Sequence, residues 1–200
     1  MQHAHLLLSP LDYLAREIQE HGRHEYVNGH VYALSGTSTR HGRLVTNLVR
    51  HTSSAAVGRS SCAVFSQCVK VHVAARNSFY YPDVVATCEP GTTDEYIICE
   101  PCFVVEVLSP STASIDRREK RLAYATLDSL QEYVLVYQDC MRADVYRRTA
   151  DSWNLAILRE PQQVVYLTCL ACSLTLQQIY EGVNLPLGVS EEVEEGWTYA

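Results

Sequence analysis

The segments Tyr80-Tyr81-Pro82-Asp83-Val84-Val85-Ala86-Thr87, Phe103-Val104-Val105-Glu106-Val107-Leu108-Ser109-Pro110-Ser111-Thr112 and Asp116-Arg117-Arg118-Glu119-Lys120 decide how this chain folds. The first two are apolar, β-branched runs, each with a single acid. A continuous apolar run bounded by turn residues predicts a central strand covered on both faces. An ionised carboxylate in such a run loses its hydration, and two side by side repel one another. A divalent cation between Asp83 and Glu106, with Lys120 as a nearby positive partner, relieves both costs. Carboxylate oxygens suit Mg2+ or Mn2+, which also bind phosphate oxygens directly. The simpler alternative is that both acids end strands and are capped by backbone amides, with no chemistry attached.

The elements on either side follow from local signals. Ser9-Pro10 predicts an N-cap and first position of a helix ending near Gly22. Asn28-Gly29, set between His24–Val27 and His30–Leu34, predicts a hairpin, because both turn residues must take positive φ. A helix is predicted over 41–57, with Leu44, Val45, Leu48 and Val49 on one face. Strands are predicted over 63–73, 80–87, 102–108 and 132–138, with further strands near 143–148, 154–158 and 164–167. A helix over about 115–127 places Asp116, Lys120, Ala123, Tyr124 and Leu127 on one face. A short helix closes the pattern at 174–180. This order predicts an α/β sandwich with a mixed sheet in a single domain.

Composition narrows the functional classes. The 200 residues are 47% hydrophobic and 20% charged, as in a soluble globular domain. The net charge of -7 argues against broad, non-specific nucleic-acid binding, although Glu191, Glu192, Glu194 and Glu195 concentrate part of it at the end. Arg117, Arg118, Lys120 and Arg121 form a candidate basic patch. No targeting segment is visible and 161–180 is too polar for a span, so the expectation is a cytoplasmic protein with no membrane association. Among eight cysteines, Cys99-x-x-Cys102 and Cys169-x-x-Cys172 have zinc-ligand spacing but lack turn glycines. They are expected to be buried thiols rather than a zinc site.

Tyr-Pro-Asp, Glu-Val-Leu-Ser-Pro-Ser-Thr, Asp-Arg-x-x-Lys and Leu-Gln-Glu-Tyr-Val-Leu-Val, in this order, resemble the Uma-two family of restriction-endonuclease-like proteins. That family is placed in the PD-(D/E)XK nuclease superfamily. The resemblance implies a restriction-endonuclease-like α/β domain over 1–190, with an acidic tail at 191–200. It implies a Mg2+- or Mn2+-dependent endonuclease that hydrolyses DNA phosphodiester bonds. In that reading Asp83 and Glu106 hold the metal, and Lys120 positions water or stabilises the transition state. The superfamily lysine falls two residues after the second acid, where this chain has Leu108, so Lys120 stands as its replacement from the next helix. The alternative for Lys120 is a surface lysine lying along Tyr124. Glu25 matches a family acid before the hairpin turn and is read either as a third catalytic carboxylate or as a solvent-facing residue. His41 matches a family histidine that contacts phosphate or caps its helix. Ser109 holds its loop or touches substrate, and Asp116 and Tyr124 complete the lysine's face. An acid common in the family near Gln67-Cys68 is missing here. A catalytically inactive nucleic-acid-binding or protein-interaction relative is therefore the competing reading. By analogy with nucleases that cut both strands, a two-fold homodimer is the expected assembly.

Overall fold

Val84 and Ala86 of one central strand face one way and Val85 the other, and both sides are buried. That alternation explains the unbroken apolar run, since neither face of this strand meets water. The computed structural model describes residues 7–57, 61–88, 94–109 and 113–186. The acidic segment 191–200 and Pro110-Ser111-Thr112 lie outside the described residues.

The chain begins with α1 (Pro10–Glu17), whose N-cap Ser9 accepts a hydrogen bond from the Asp12 N–H. This helix stops well before Gly22. The hairpin β1 (His24–Val27) and β2 (His30–Ala33) turns through Asn28 at φ 45° and Gly29 at φ 97°. Helix α2 (Thr39–Ala56), capped by Ser38, buries Leu44, Val45 and Leu48. There follow β3 (Ala63–Phe65), β4 (Lys70–Val73), β5 (Ser78–Tyr80), β6 (Val84–Thr87), β7 (Ile97–Ile98) and β8 (Phe103–Leu108). Residues 113–124 are helical: α3 (Ala113–Ile115), a π-helical segment at Asp116–Lys120, and α4 (Arg121–Tyr124). The chain continues through β9 (Glu132–Tyr137), β10 (Ala143–Arg148), β11 (Trp153–Leu158), β12 (Val164–Leu167), β13 (Cys172–Thr175) and α5 (Leu176–Ile179).

The strands form a six-stranded sheet β11-β10-β9-β8-β6-β3, a five-stranded sheet β2-β1-β5-β4-β7 and the β12–β13 hairpin. The larger sheet is mixed, because β8 and β9 run parallel and the 113–124 helix makes the crossover. One of its faces packs Val84, Phe103, Val105 and Val134 against Leu44 and Leu48 of α2 and Ile179 of α5. The other packs Val85, Val104 and Leu135 against Tyr124 and against Val71 and Tyr80 of the smaller sheet.

Two predicted strands are each split. The 63–73 strand breaks between β3 and β4, where Gln67 has φ 52°. The 80–87 strand breaks between β5 and β6 at Tyr81-Pro82-Asp83, where proline cannot donate to a ladder. The two breaks are opposite each other, with Gln67 N–H donating to Pro82 O at 3.1 Å. β4 and β5 belong to the smaller sheet and β3 and β6 to the larger one, so this long hairpin bends from one sheet into the other. Asp83 sits at the bend.

The cysteines depart from the expectation of unpaired buried thiols. Cys62 is disulfide-bonded to Cys88 and Cys102 to Cys169. The two CxxC pairs do not meet as units: Cys102 bonds Cys169, while Cys99 is exposed. Among the described residues no helix is long and apolar enough to cross a membrane.

Candidate functional site

Asp83 directly precedes β6, and the register Val84↔Val105 continues to place it beside Glu106. Both side chains point to the face covered by the 113–124 helix. The Val107 N–H donates to Asp83 Oδ2 at 2.7 Å, and the Asp83 N–H lies 3.4 Å from Glu106 Oε2. Backbone amides therefore meet both acids, as the simpler reading of the sequence requires. The amides leave Asp83 Oδ1 and Glu106 Oε1 to other partners.

Those partners come from three further elements. His41, in the first turn of α2, brings Nε2 to 3.0 Å from Asp83 Oδ1, and Gln67 Nε2 donates to the same oxygen at 2.7 Å. Gln67 thus occupies the neighbourhood in which the family's extra acid was expected, and its left-handed backbone turns it there. Lys120 reaches inward from the π-helical segment, 3.2 Å from Glu106 Oε1 and 2.9 Å from Glu25 Oε1. Asp116 Oδ1 lies 3.2 Å from the same ammonium without forming a directed hydrogen bond. The Tyr124 hydroxyl is 3.4 Å from Glu106 Oε1. Glu25 is buried on β1 and also accepts from the Tyr81 N–H, so it is not a solvent-facing hairpin residue. Lys120 is 5% exposed and is not a surface lysine.

The electrostatics are those of a crowded carboxylate cluster. Glu25, Asp83, Glu106 and Asp116 are all buried, against the single ammonium of Lys120 and the imidazole of His41. Burial pushes the Glu106 carboxyl well up; Lys120 opposes this, while Asp116, Asp83 and Glu25 add to it. Burial also works against the Lys120 ammonium, but Glu106, Glu25 and Asp116 overcome it and hold its pKa well above the usual lysine value. Burial would raise Asp83, yet the hydrogen bond and charge of His41, with Gln67 and the Val107 N–H, bring its carboxyl below the ordinary range. His41 Nδ1 and Asp116 Oδ1 are buried without hydrogen-bond partners. Four buried carboxylates, with Asp116 Oδ1 held only by the charge of Lys120 and not by a hydrogen bond, are oxygen donors of the kind that suits a hard divalent cation.

Glu25, His41, Gln67, Asp83, Glu106, Ser109, Asp116 and Lys120 line one cavity of about 280 Å³. Tyr124 lies behind it. Beside it is a wider cleft of about 660 Å³, sharing Ser38, Ser109 and Gln138 with the first and bearing Arg40, Arg43 and Arg117. The expected basic patch is dispersed. Lys120 points into the cavity, Arg117 into the cleft against the Tyr137 ring, and Arg121 stacks on Tyr146. Arg40 and Arg43 carried no local sequence signal, because only the tertiary fold brings the start of α2 to the cleft that Arg117 also lines.

A family described as Putative restriction endonuclease, Uma2, matches residues 10–178. The chain belongs to this family. Two uncharacterized proteins of Synechocystis are similar to it. One is 32% identical over 181 residues, covering 88% of this chain and 93% of that protein. The other is 33% identical over 156 residues, covering 76% and 88%. The fold of this Uma2 member matches a crystal structure described as a putative nuclease from Anabaena variabilis. The TM-score is 0.69 at 16% identity, covering 86% of this chain and 97% of that one.

Proposed function

We propose that this protein is a divalent-metal-dependent endonuclease that hydrolyses phosphodiester bonds of DNA. The observation that carries the reading is the convergence of Asp83, Glu106 and the Lys120 ammonium on one buried cavity that opens beside an arginine-bearing cleft. Asp83 and Glu106 would hold Mg2+ or Mn2+, with Asp116 Oδ1, 3.2 Å from the Lys120 ammonium, nearby. Such a cation supplies charge neutralisation at the scissile phosphate and a lowered pKa for its bound water.

The chain's own residues do the rest. Lys120 orients the attacking water or donates to a phosphoryl oxygen as negative charge develops there, in a site where low polarity strengthens each contact. Glu25, 2.9 Å from that ammonium, is a positioning residue that aims it. His41 and Gln67 fix Asp83 Oδ1, so the carboxylate is pre-oriented. Arg40, Arg43 and Arg117 contact backbone phosphates and set the register of the strand in the cleft.

The test is nicking of plasmid and single-stranded DNA with Mg2+, Mn2+ or chelator, comparing wild type with Asp83→Asn and Lys120→Ala. Metal-dependent cleavage lost in both variants is the expected result. DNA retained in the cleft but left intact with either metal would instead favour the inactive, binding-only reading.

A further inference from the structure

We propose that Cys62, Cys88, Cys102 and Cys169, paired as two disulfides in this structure, form one four-sulfur site that binds Zn2+ once both bridges are reduced. The sheet brings the four together. In the β3–β6 pair Ala63 is opposite Thr87, so Cys62 and Cys88 are the next pair along, with Cα atoms 3.9 Å apart. β8 flanks β6 on its other side, and Cys102 at its entrance donates its N–H to Ala86 O at 2.8 Å. The turn between β12 and β13 carries Cys169 onto the same corner. Three adjacent strand ends and one turn thus supply a sulfur each.

The spacing suits a tetrahedral ion. The sulfurs of Cys88, Cys102 and Cys169 all lie within 4.8 Å of one another. Cys88 Sγ and Cys102 Sγ, which belong to different disulfides, are 3.8 Å apart. Zinc–thiolate bonds of about 2.3 Å place the sulfurs of a tetrahedral site about 3.8 Å apart, so one edge is already present between the two bridges. Cys62 completes the set through its bond to Cys88. The surroundings are apolar: Cys102 is buried, and Cys62, Cys88 and Cys169 pack against the larger core. Such a setting keeps water from competing for the ion.

Opening the site is a two-electron step at each bridge. One phosphine reduces one S–S bond; water supplies the oxygen of the phosphine oxide and the protons of the two thiols. Four thiols then bind one Zn2+ as thiolates and release four protons. This corner lies at the opposite ends of β6 and β8 from Asp83 and Glu106, so the site ties together the strands that carry them.

The experiment uses the full chain, reduced with a water-soluble phosphine under argon, freed of reductant and titrated with Co2+ and then Zn2+. One Co2+ per chain should produce thiolate-to-cobalt charge-transfer absorption that one Zn2+ abolishes. That band reads sulfur ligands only, so a cation held by the carboxylate cluster does not contribute. The band should lose intensity, and Zn2+ should bind more weakly, in Cys62→Ser and Cys102→Ser, whereas Cys68→Ser/Cys99→Ser, whose cysteines are exposed, should match wild type. Alkylation of zinc-loaded wild type, read by mass spectrometry, needs no variant. It should modify Cys68 and Cys99 and spare the four. Absence of the band in reduced wild type, its undiminished intensity in Cys62→Ser, or alkylation of the four in the presence of zinc overturns the proposal.

Discussion

Lys120 places its ammonium 3.2 Å from Glu106 Oε1 although it lies 14 residues further along the chain and on a different element. Leu108, two residues after Glu106, is buried with Tyr124 and Leu130 in the core beneath the helix. The strand thus has an apolar residue at that position, and the helix crossing above supplies the ammonium. The Tyr80 ring, 5.7 Å below the ammonium, gives it an aromatic floor.

Lys120→Ala is expected to abolish cleavage and also to weaken the fold. Lys120 is buried and three buried carboxylates share its ammonium, so its loss reaches the fold as well as the chemistry. Removing one partner of a buried pair costs about 3–5 kcal/mol, because charge is left uncompensated. Urea unfolding in chelator should show the loss, and added Mn2+ should restore part of it. An unchanged midpoint would mean that Lys120 is not their counter-ion.

Asp83→Asn keeps an acceptor for the Val107 N–H while deleting the charge. Calorimetric titration should show Mn2+ affinity falling by more than about tenfold, the scale on which even supporting residues act. Undiminished affinity would remove Asp83 from the ligand set.

His41 makes the stability of the metal-free protein depend on acid. The folded-state pKa of Asp83 is depressed. Its contribution is therefore present above the unfolded value of about 3.9 and is lost as pH falls through the folded value. His41→Ala should lower stability at neutral pH, and the gap to wild type should narrow as pH drops below about 4. A gap independent of pH would indicate lost packing alone. Denaturant midpoints measured in chelator between neutrality and acid would decide it.

Arg43 is exposed at the cleft, so its replacement spares the fold. Arg43→Ala should weaken DNA binding about equally across sequences and reduce the salt slope by about one, as loss of a phosphate contact does. Mn2+ binding should stay unchanged. Fluorescence anisotropy over a salt series measures both slope and affinity, and an unaltered slope would place the strand elsewhere.

Local rules carried the reading of much of this chain from sequence alone. Ser9-Pro10 and Asn28-Gly29 act through backbone preferences that need no distant partner, and both elements form where the residues require. The apolar runs around Val85 and Val105 determined that two central strands exist, because only burial on both faces accommodates them. Single acids in those runs marked Asp83 and Glu106, and helical spacing set Lys120 on the same side as Asp116 and Tyr124. Tertiary structure alone decided where the paired strands bend between sheets. That bend depends on Gln67 and Pro82 meeting across a hairpin, a contact that neither segment encodes locally. It also decided that Glu25 reaches Lys120, that Gln67 holds Asp83, and that Arg40 and Arg43 join Arg117. The cysteines show the same limit: the sequence reads as buried thiols, whereas the fold pairs Cys62 with Cys88 and Cys102 with Cys169. Contacts across sheets are set by which faces bury together, and that choice belongs to the whole chain at once.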